Sequence, residues 1–162
     1  MTYDPYELIE KYRHHGALID TNLLLVYLVG CCGEHLLSQC GTTGQYEEEF
    51  EDIKVLVELF DKVHTTPNIL TELSNLENIE LGGQFLEKLK LFVESADEQF
   101  CSRRDAVGDR AFGWLGLTDS ALVQLGKSFL VVTTDARLYV RLSELGSPVV
   151  NYNHLRKFST RQ

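Results

Sequence analysis

Four acids stand where their neighbours would let them do chemistry. Asp20 follows the apolar run Ala17-Leu18-Ile19, and Glu72 lies just beyond Thr65-Thr66-Pro67. Asp119 follows Gly116-Leu117-Thr118, and Asp135 follows Leu130-Val131-Val132-Thr133-Thr134. Each alone has a plain structural reading: Asp20, Asp119 and Asp135 complement helix N-termini, which attract negative charge, and Glu72 is a solvated surface acid. Together they read differently. Two of them end apolar strands, which places them on one edge of one sheet. The other two start helices that can lean over that edge. Four carboxylates converging there repel one another unless a divalent cation sits among them. An oxygen-only ligand set favours hard ions, Mg²⁺ or Mn²⁺, over zinc. Asn22 and Thr133 add neutral oxygens that can orient metal-bound water or a phosphate. A pair of such ions supports in-line attack of water on a phosphodiester.

The rest of the chain supplies elements able to position these acids. Thr2–His15 reads as a short helix broken by Gly16, and Ala17-Leu18-Ile19 as a buried parallel strand. Thr21–Val29 looks helical. Cys31–Gln45 reads as a loop or lid-like insertion, and Tyr46–Val63 as an amphipathic helix with an acidic outer face. His64-Thr65-Thr66 is a short strand, followed by a helix with Thr66 as cap, Pro67 as first residue, and Ile69, Leu70, Leu73 and Leu76 on one face. Gly82–Asp97 predicts a helix with Phe85, Leu86, Leu89, Phe92 and Val93 inward. Glu98–Val107 is ambiguous. Asp109–Trp114 and Thr118–Leu125 predict two helices, the second capped by Thr118. Phe129–Thr133 is the clearest strand. A helix from Asp135 carries Leu138, Leu142 and Leu145 in register and ends at Gly146. Pro148-Val149-Val150 is a last strand, and His154–Gln162 a basic tail. Strands alternating with helices predict an α/β fold with a mostly parallel central sheet and helices on both faces. In such sheets the ligand site lies beyond the carboxyl ends of the strands, where strand order reverses.

Length and composition bound the function classes. The 162 residues, 44% hydrophobic and 24% charged, fit one packed domain over residues 1–162 and exclude a disordered chain. No positive stretch followed by an apolar one opens the sequence, and the apolar run Leu23–Gly30 is too short to span a bilayer. The expectation is a cytoplasmic protein, without membrane partners, whose cysteines are free thiols. The net charge of −9 is uneven: residues 1–98 hold 6 Lys and Arg against 19 Asp and Glu, and residues 99–162 hold 9 against 5. Such a chain makes a poor general nucleic-acid coat, because counterion release needs clustered cations. It does not exclude a nuclease, whose metal site must itself be acidic while a basic C-terminal third holds a phosphate backbone.

The blocks Leu18-Ile19-Asp20-Thr21-Asn22, Pro67-Asn68-Ile69-Leu70-Thr71-Glu72-Leu73, Gly116-Leu117-Thr118-Asp119-Ser120-Ala121-Leu122 and Val131-Val132-Thr133-Thr134-Asp135-Ala136-Arg137-Leu138 resemble, in order and spacing, the four signatures of the PIN domain family. That family includes the VapC-type toxins of bacterial toxin–antitoxin pairs. The resemblance spans residues 18–150. It implies a three-layer α/β/α sandwich and a Mg²⁺- or Mn²⁺-dependent endoribonuclease acting on single-stranded RNA. It also implies metal ligation by Asp20, Glu72, Asp119 and Asp135, with Thr133 and Asn22 in support. A toxin would further imply a protein antitoxin, with the acidic helix Tyr46–Val63 or the insertion before it as a candidate for that interface or for a homodimer. The extension over residues 1–15 and the segment 31–63 depart from a minimal toxin. A non-catalytic PIN-like module binding RNA or protein is the rival reading.

Other signals carry less. Gly126-Lys127-Ser128 mimics the end of a P-loop, but a strand follows it instead of a helix. Cys31, Cys32, His35 and Cys40 hold four soft ligands at a spacing that matches no standard zinc knuckle, so packed free thiols are expected. Arg103, Arg104 and Arg110 are the phosphate-contact candidates ahead of the Asp119 helix, weighed evenly against a solvated face. Arg137, beside Asp135, either touches a scissile phosphate or pairs with a carboxylate. Trp114, Phe112 and the tyrosines are expected in the core.

Overall fold

The computed structural model describes residues 3–39, 41–75 and 81–159. Five strands, Ala17–Ile19 (β1), Val63–Thr65 (β2), Asp97–Glu98 (β3), Leu130–Thr133 (β4) and Val149–Asn151 (β5), form one parallel sheet in the order β3-β2-β1-β4-β5. Around it lie Pro5–Tyr12 (α1), Thr21–Cys32 (α2), Phe50–Leu59 (α3), Pro67–Ser74 (α4), Gly82–Ser95 (α5), Arg103–Val107 (α6), Phe112–Leu125 (α7), Ala136–Glu144 (α8) and Tyr152–Ser159 (α9). This is a three-layer α/β/α sandwich. Its central strands are apolar on both faces because helices cover both: Ala17, Leu18, Ile19, Leu130, Val131 and Val132 are all fully buried. The chain builds outward from β1 to β2 and β3, then returns across it to β4 and β5. Strand order therefore reverses between β1 and β4, which pair with Ile19 opposite Val132. No described helix is long and apolar enough to cross a membrane.

The turn into β1 needs a glycine. Gly16 has φ +90°, and a Cβ there would lie 2.5 Å from the Lys62 carbonyl oxygen and 2.8 Å from His64 Nε2. His64 itself is buried and satisfied: Nε2 donates to the His15 carbonyl at 2.9 Å, and Nδ1 accepts from Gln99 Nε2 at 3.3 Å.

Several expectations are corrected. The predicted loop 31–45 is instead the end of α2 followed by 3-10 turns over Glu34–Gln39 and Gly41–Glu49, with the Thr43 hydroxyl donating to the Leu37 carbonyl at 2.6 Å. The helix expected over Tyr46–Val63 covers only Phe50–Leu59. On α5 the core stripe is Phe85, Leu89 and Phe92, while Leu86 and Val93 are 56% and 44% exposed. Leu86 and Val93 each follow a stripe residue by one position, about 100° around the helix. Leu145, expected in register on α8, is exposed at its C-cap. The ambiguous stretch after residue 97 forms β3 and the short α6, whose cap Ser102 accepts from Asp105 N–H at 3.1 Å. The two helices expected around Gly116 are there, parted at that residue by φ 82° and ψ −178° within α7, but the first begins at Phe112 and not at Asp109. Phe112 and Trp114 are not core residues; they are 37% and 45% exposed. The expected basic tail begins as α9, with Tyr152 and Leu155 buried. Leu76, expected on the α4 face, lies outside the described residues.

One charged contact braces the fold. Arg141 of α8 donates from Nε and Nη2 to the two carboxylate oxygens of Asp109 at 3.2 and 3.0 Å, with both side chains largely buried. Asp109 also accepts from Ala111 N–H at 2.8 Å, so the pair ties α8 to the entrance of α7.

Candidate metal and substrate site

The site is built at the carboxyl ends of β1 and β4, where strand order reverses. Beyond Ile19, Asp20 donates its N–H to the Val132 carbonyl at 3.0 Å, prolonging the ladder by one residue. Its side chain then caps α2, Oδ1 accepting from Leu23 N–H at 2.9 Å. Oδ2 accepts from the Thr133 hydroxyl at 2.6 Å and Thr134 N–H at 2.8 Å, both at the end of β4. Asp135 caps α8 in the same way, Oδ1 accepting from Arg137 N–H at 2.7 Å and Leu138 N–H at 3.1 Å. Thr133 links the two acids: its hydroxyl oxygen donates to Asp20 and accepts the Asp135 N–H at 2.9 Å.

Glu72 reaches the same place from α4. Pro67 and the Thr66 cap, which accepts from Ile69 N–H at 3.2 Å, start that helix directly after β2. Glu72 Oε2 then accepts from the Thr21 hydroxyl at 2.8 Å, and Oε1 from the Thr118 hydroxyl. Thr118 therefore serves Glu72 and does not cap its own helix. Asp119 enters from α7, three positions after the Gly116 break.

All four acids line one open cavity of about 590 Å³, together with Asn22 and Gly116, and no Lys, Arg or His among the described residues lines it. The electrostatic consequence falls on Asp119. Burial, then the charges of Asp135, Asp20 and Glu72, push its carboxyl up to about 7 against a weaker opposing pull from Arg137. Asp20 is also raised. Burial outweighs the hydrogen bonds from Thr133, Leu23 and Thr134 that favour its anion, and Asp135 adds to the rise.

The donor set suits a hard dication: four carboxylates, no soft ligand, and one acid whose anion is destabilised by the other three. As placed, however, no three or more His, Cys, Asp or Glu side chains among the described residues are arranged to hold a metal ion. The hydrogen bonds give the reason. Asp20 and Glu72 have both oxygens engaged by donors, and Asp135 Oδ1 is turned to its own helix. Ligation would recruit the remaining lone pairs or release a hydroxyl.

Of the other expected site residues, Asn22 lines the cavity and Thr133 supports it from below. Arg137 stands at its edge, 64% exposed, with Nη1 donating to the Trp114 carbonyl at 3.3 Å and Nη2 3.8 Å from Asp135 Oδ2. Arg104, Arg103 and Arg110 are exposed and do not line the cavity, so the solvated-face reading describes them. Cys31 lines a separate cavity of about 580 Å³ with Tyr27, Lys54 and Lys88, where burial pushes its thiol up. Cys31, Cys32 and His35 form no metal-holding group, and Cys40 lies outside the described residues. Sequence reasoning missed Thr21 and Thr118 as holders of Glu72. The signal available was a hydroxyl directly beside each of two candidate acids, which is too common to use alone. Comparison with protein-family models, with curated proteins and with solved structures finds no match to this chain.

Proposed function

We propose that the protein is a Mg²⁺- or Mn²⁺-dependent endoribonuclease that hydrolyses phosphodiesters of single-stranded RNA. One observation carries the proposal: four carboxylates from four separate segments line one cavity at the sheet's switch point, with no Lys, Arg or His among the described lining residues. The resemblance of the same four segments to the PIN signatures supports it, and under that reading a protein antitoxin is a proposed partner.

Asp20, Asp119 and Asp135 would hold the ion, with Glu72 completing the set. Bound there, a hard dication supplies Lewis-acid stabilisation of a phosphoryl oxygen and a more acidic water. The chain's own contributions follow from its hydrogen bonds. Thr133 holds the Asp20 carboxylate and the start of the Asp135 turn in one register, so the two acids keep a fixed separation. Thr21 and Thr118 present Glu72 to the cavity from α2 and α7. Asp119, pushed up to about 7, exchanges its proton near neutrality, so metal competes with protons there and activity falls as pH drops below about 7.

The test is incubation of the purified protein with end-labelled single-stranded RNA, with and without Mn²⁺. Asp119→Asn is the better control than Asp20→Asn, because an Asn at 20 would turn an amide donor toward existing donors at Leu23, Thr133 or Thr134. Cleavage should require Mn²⁺ and fall by at least about 100-fold in Asp119→Asn. Full activity in that variant would sink the site assignment. The engaged oxygens of Asp20 and Glu72 favour one second reading, a non-catalytic binding module. Mn²⁺ at about 100 times its dissociation constant should stabilise a true metal site by about 2.7 kcal/mol and a scaffold not at all.

A further inference from the structure

A second cleft, of about 470 Å³, adjoins the acidic cavity and shares two of its lining residues, Asn22 and Asp135. Its chemistry is different. Beyond Asp135 it has no carboxylate among the described residues; it is lined by the cation Arg137 and the amides of Gln45 and Asn153. Two of these residues come from parts of the chain that carry none of the four acids. Gln45 belongs to the 3-10 turn Gly41–Glu49 and Asn153 to α9. The far wall is rigid: Asn153 Nδ2 donates to the Thr134 carbonyl at 3.1 Å, and Asn153 N–H donates to Asn151 Oδ1 at 2.9 Å. Gln45 is exposed. The volume falls within the range of pockets that bind small ligands.

Accordingly, we propose that this cleft is the subsite for one nucleotide beside the scissile phosphodiester, with Arg137 on its phosphate and Gln45 and Asn153 on the edge of its base. The proposal rests on reading the acidic cavity as the cleavage site and adds which side of it the strand occupies. A strand lying over four acids needs a cationic anchor, and among the described residues Arg137 supplies one at the edge of the acidic cavity, 3.8 Å from Asp135 Oδ2. Amide side chains offer a donor and an acceptor together, the pairing that reads base edges, and an unstacked base in a single strand leaves those edges open. A duplex would keep its bases stacked and out of reach of so small a cleft. The ligand class is therefore single-stranded nucleic acid, selected at one position by the amides.

The test separates binding from cleavage. Affinity for a fluorescein-labelled twelve-nucleotide single-stranded RNA of mixed sequence is measured by anisotropy in Ca²⁺, and cut sites are mapped in Mn²⁺ on an RNA randomised around the cleavage position. Gln45→Ala should weaken binding about 3- to 10-fold, the loss of one good hydrogen-bonding contact, and should relax base preference at a single position next to the cut. Arg137→Ala should weaken binding to every sequence alike and lower its salt dependence by about one unit of slope. If the RNA binds, yet neither variant changes affinity, the subsite is overturned while the metal site stands. If Arg104→Ala weakens binding and Arg137→Ala does not, the strand runs over α6 and the proposal is equally overturned. If the wild type binds RNA through Gln45 and Arg137 but cuts nothing, the subsite survives and the nuclease reading fails. No detectable RNA binding by the wild type overturns the subsite.

Discussion

Two aspartates ten residues apart, Asp109 and Asp119, flank the first half of α7 and meet opposite fates. Asp109 lies against Arg141, whose guanidinium holds its carboxyl below the usual range. Asp119 faces Asp135, Asp20 and Glu72 and is pushed up to about 7. Both carboxylates leave bulk water, and both lose hydration by doing so. At Asp109 the loss is offset inside the protein by a two-point contact to a cation. At Asp119 no such contact exists among the described residues, and the carboxyl keeps its proton up to about pH 7 instead. The contrast is what singles out Asp119 in the function proposed above.

Breaking the balanced site should have the larger effect on stability. Asp109→Ala leaves the largely buried Arg141 guanidinium with Glu144 at 3.8 Å in place of its two-point contact and should cost about 3 kcal/mol. In a chain of this size that corresponds to a melting temperature about 6–12 °C lower at pH 7, readable by thermal denaturation. RNA cleavage below the new transition should be unchanged, since neither residue lines the acidic cavity. A melting point within about 1 °C of wild type would show that the pair does not brace α8.

The unbalanced site predicts the opposite sign with pH. Between about pH 4 and pH 7 the native protein keeps a proton on Asp119 that the unfolded chain has lost. Native stability without metal therefore falls as pH rises through that window. The Asp109 contribution runs the other way: its folded carboxyl titrates lower than the unfolded one, so its stabilisation is present above about pH 4 and is lost as pH falls below that. Asp119→Asn should remove the first slope and stabilise the metal-free protein at pH 8 by on the order of 2 kcal/mol. Urea titrations of both proteins at pH 5 and pH 8 measure it. Equal stabilities at both pH values would mean that Asp119 is solvated and ordinary.

A smaller effect sharpens the boundary between the two regions. Gly116 separates the half of α7 held by Asp109 from the half that carries Thr118 and Asp119. A Cβ there would meet nothing within 4 Å, so space is not the obstacle; φ 82° with ψ −178° is. Gly116→Ala should cost about 1–2 kcal/mol from backbone strain alone. It should also disturb the Thr118 contact to Glu72, lowering activity more than the stability loss explains. Trp114, the single tryptophan, has its carbonyl on Arg137 and gives a fluorescence reading of the change.

Much of this could be read in advance from local pattern. The apolar triplets at β1 and β4 and their helix-capping aspartates are written in adjacent residues, because a cap must follow its strand directly and spacing along the chain is then spacing in space. Pro67 after Thr66 declares α4 for the same reason. Elsewhere local pattern misled. Leu86 and Val93 are apolar but lie to one side of the α5 stripe, and hydrophobicity alone does not say how wide a stripe the neighbours will cover. Trp114 and Phe112 look like core residues and are exposed, because aromatic type alone does not say which face of a helix the rest of the fold will cover.

What the chain determined by itself was four of the strands, β1, β2, β4 and β5, the caps Asp20, Thr66 and Asp135, and the four acids, since each depends on contacts within a few residues. Only tertiary structure decided the rest. Sheet order put Asp20 beside Thr133, 113 positions away, and folding set Arg141 on Asp109 rather than on any nearer acid. It also turned Thr21 and Thr118 toward Glu72 and brought Gln45 and Asn153 together beside Asp135. The physical reason is range. A hydrogen bond or a charge interaction acts over a few ångströms, and no spacing along the sequence states which distant residues the packed helices will bring that close.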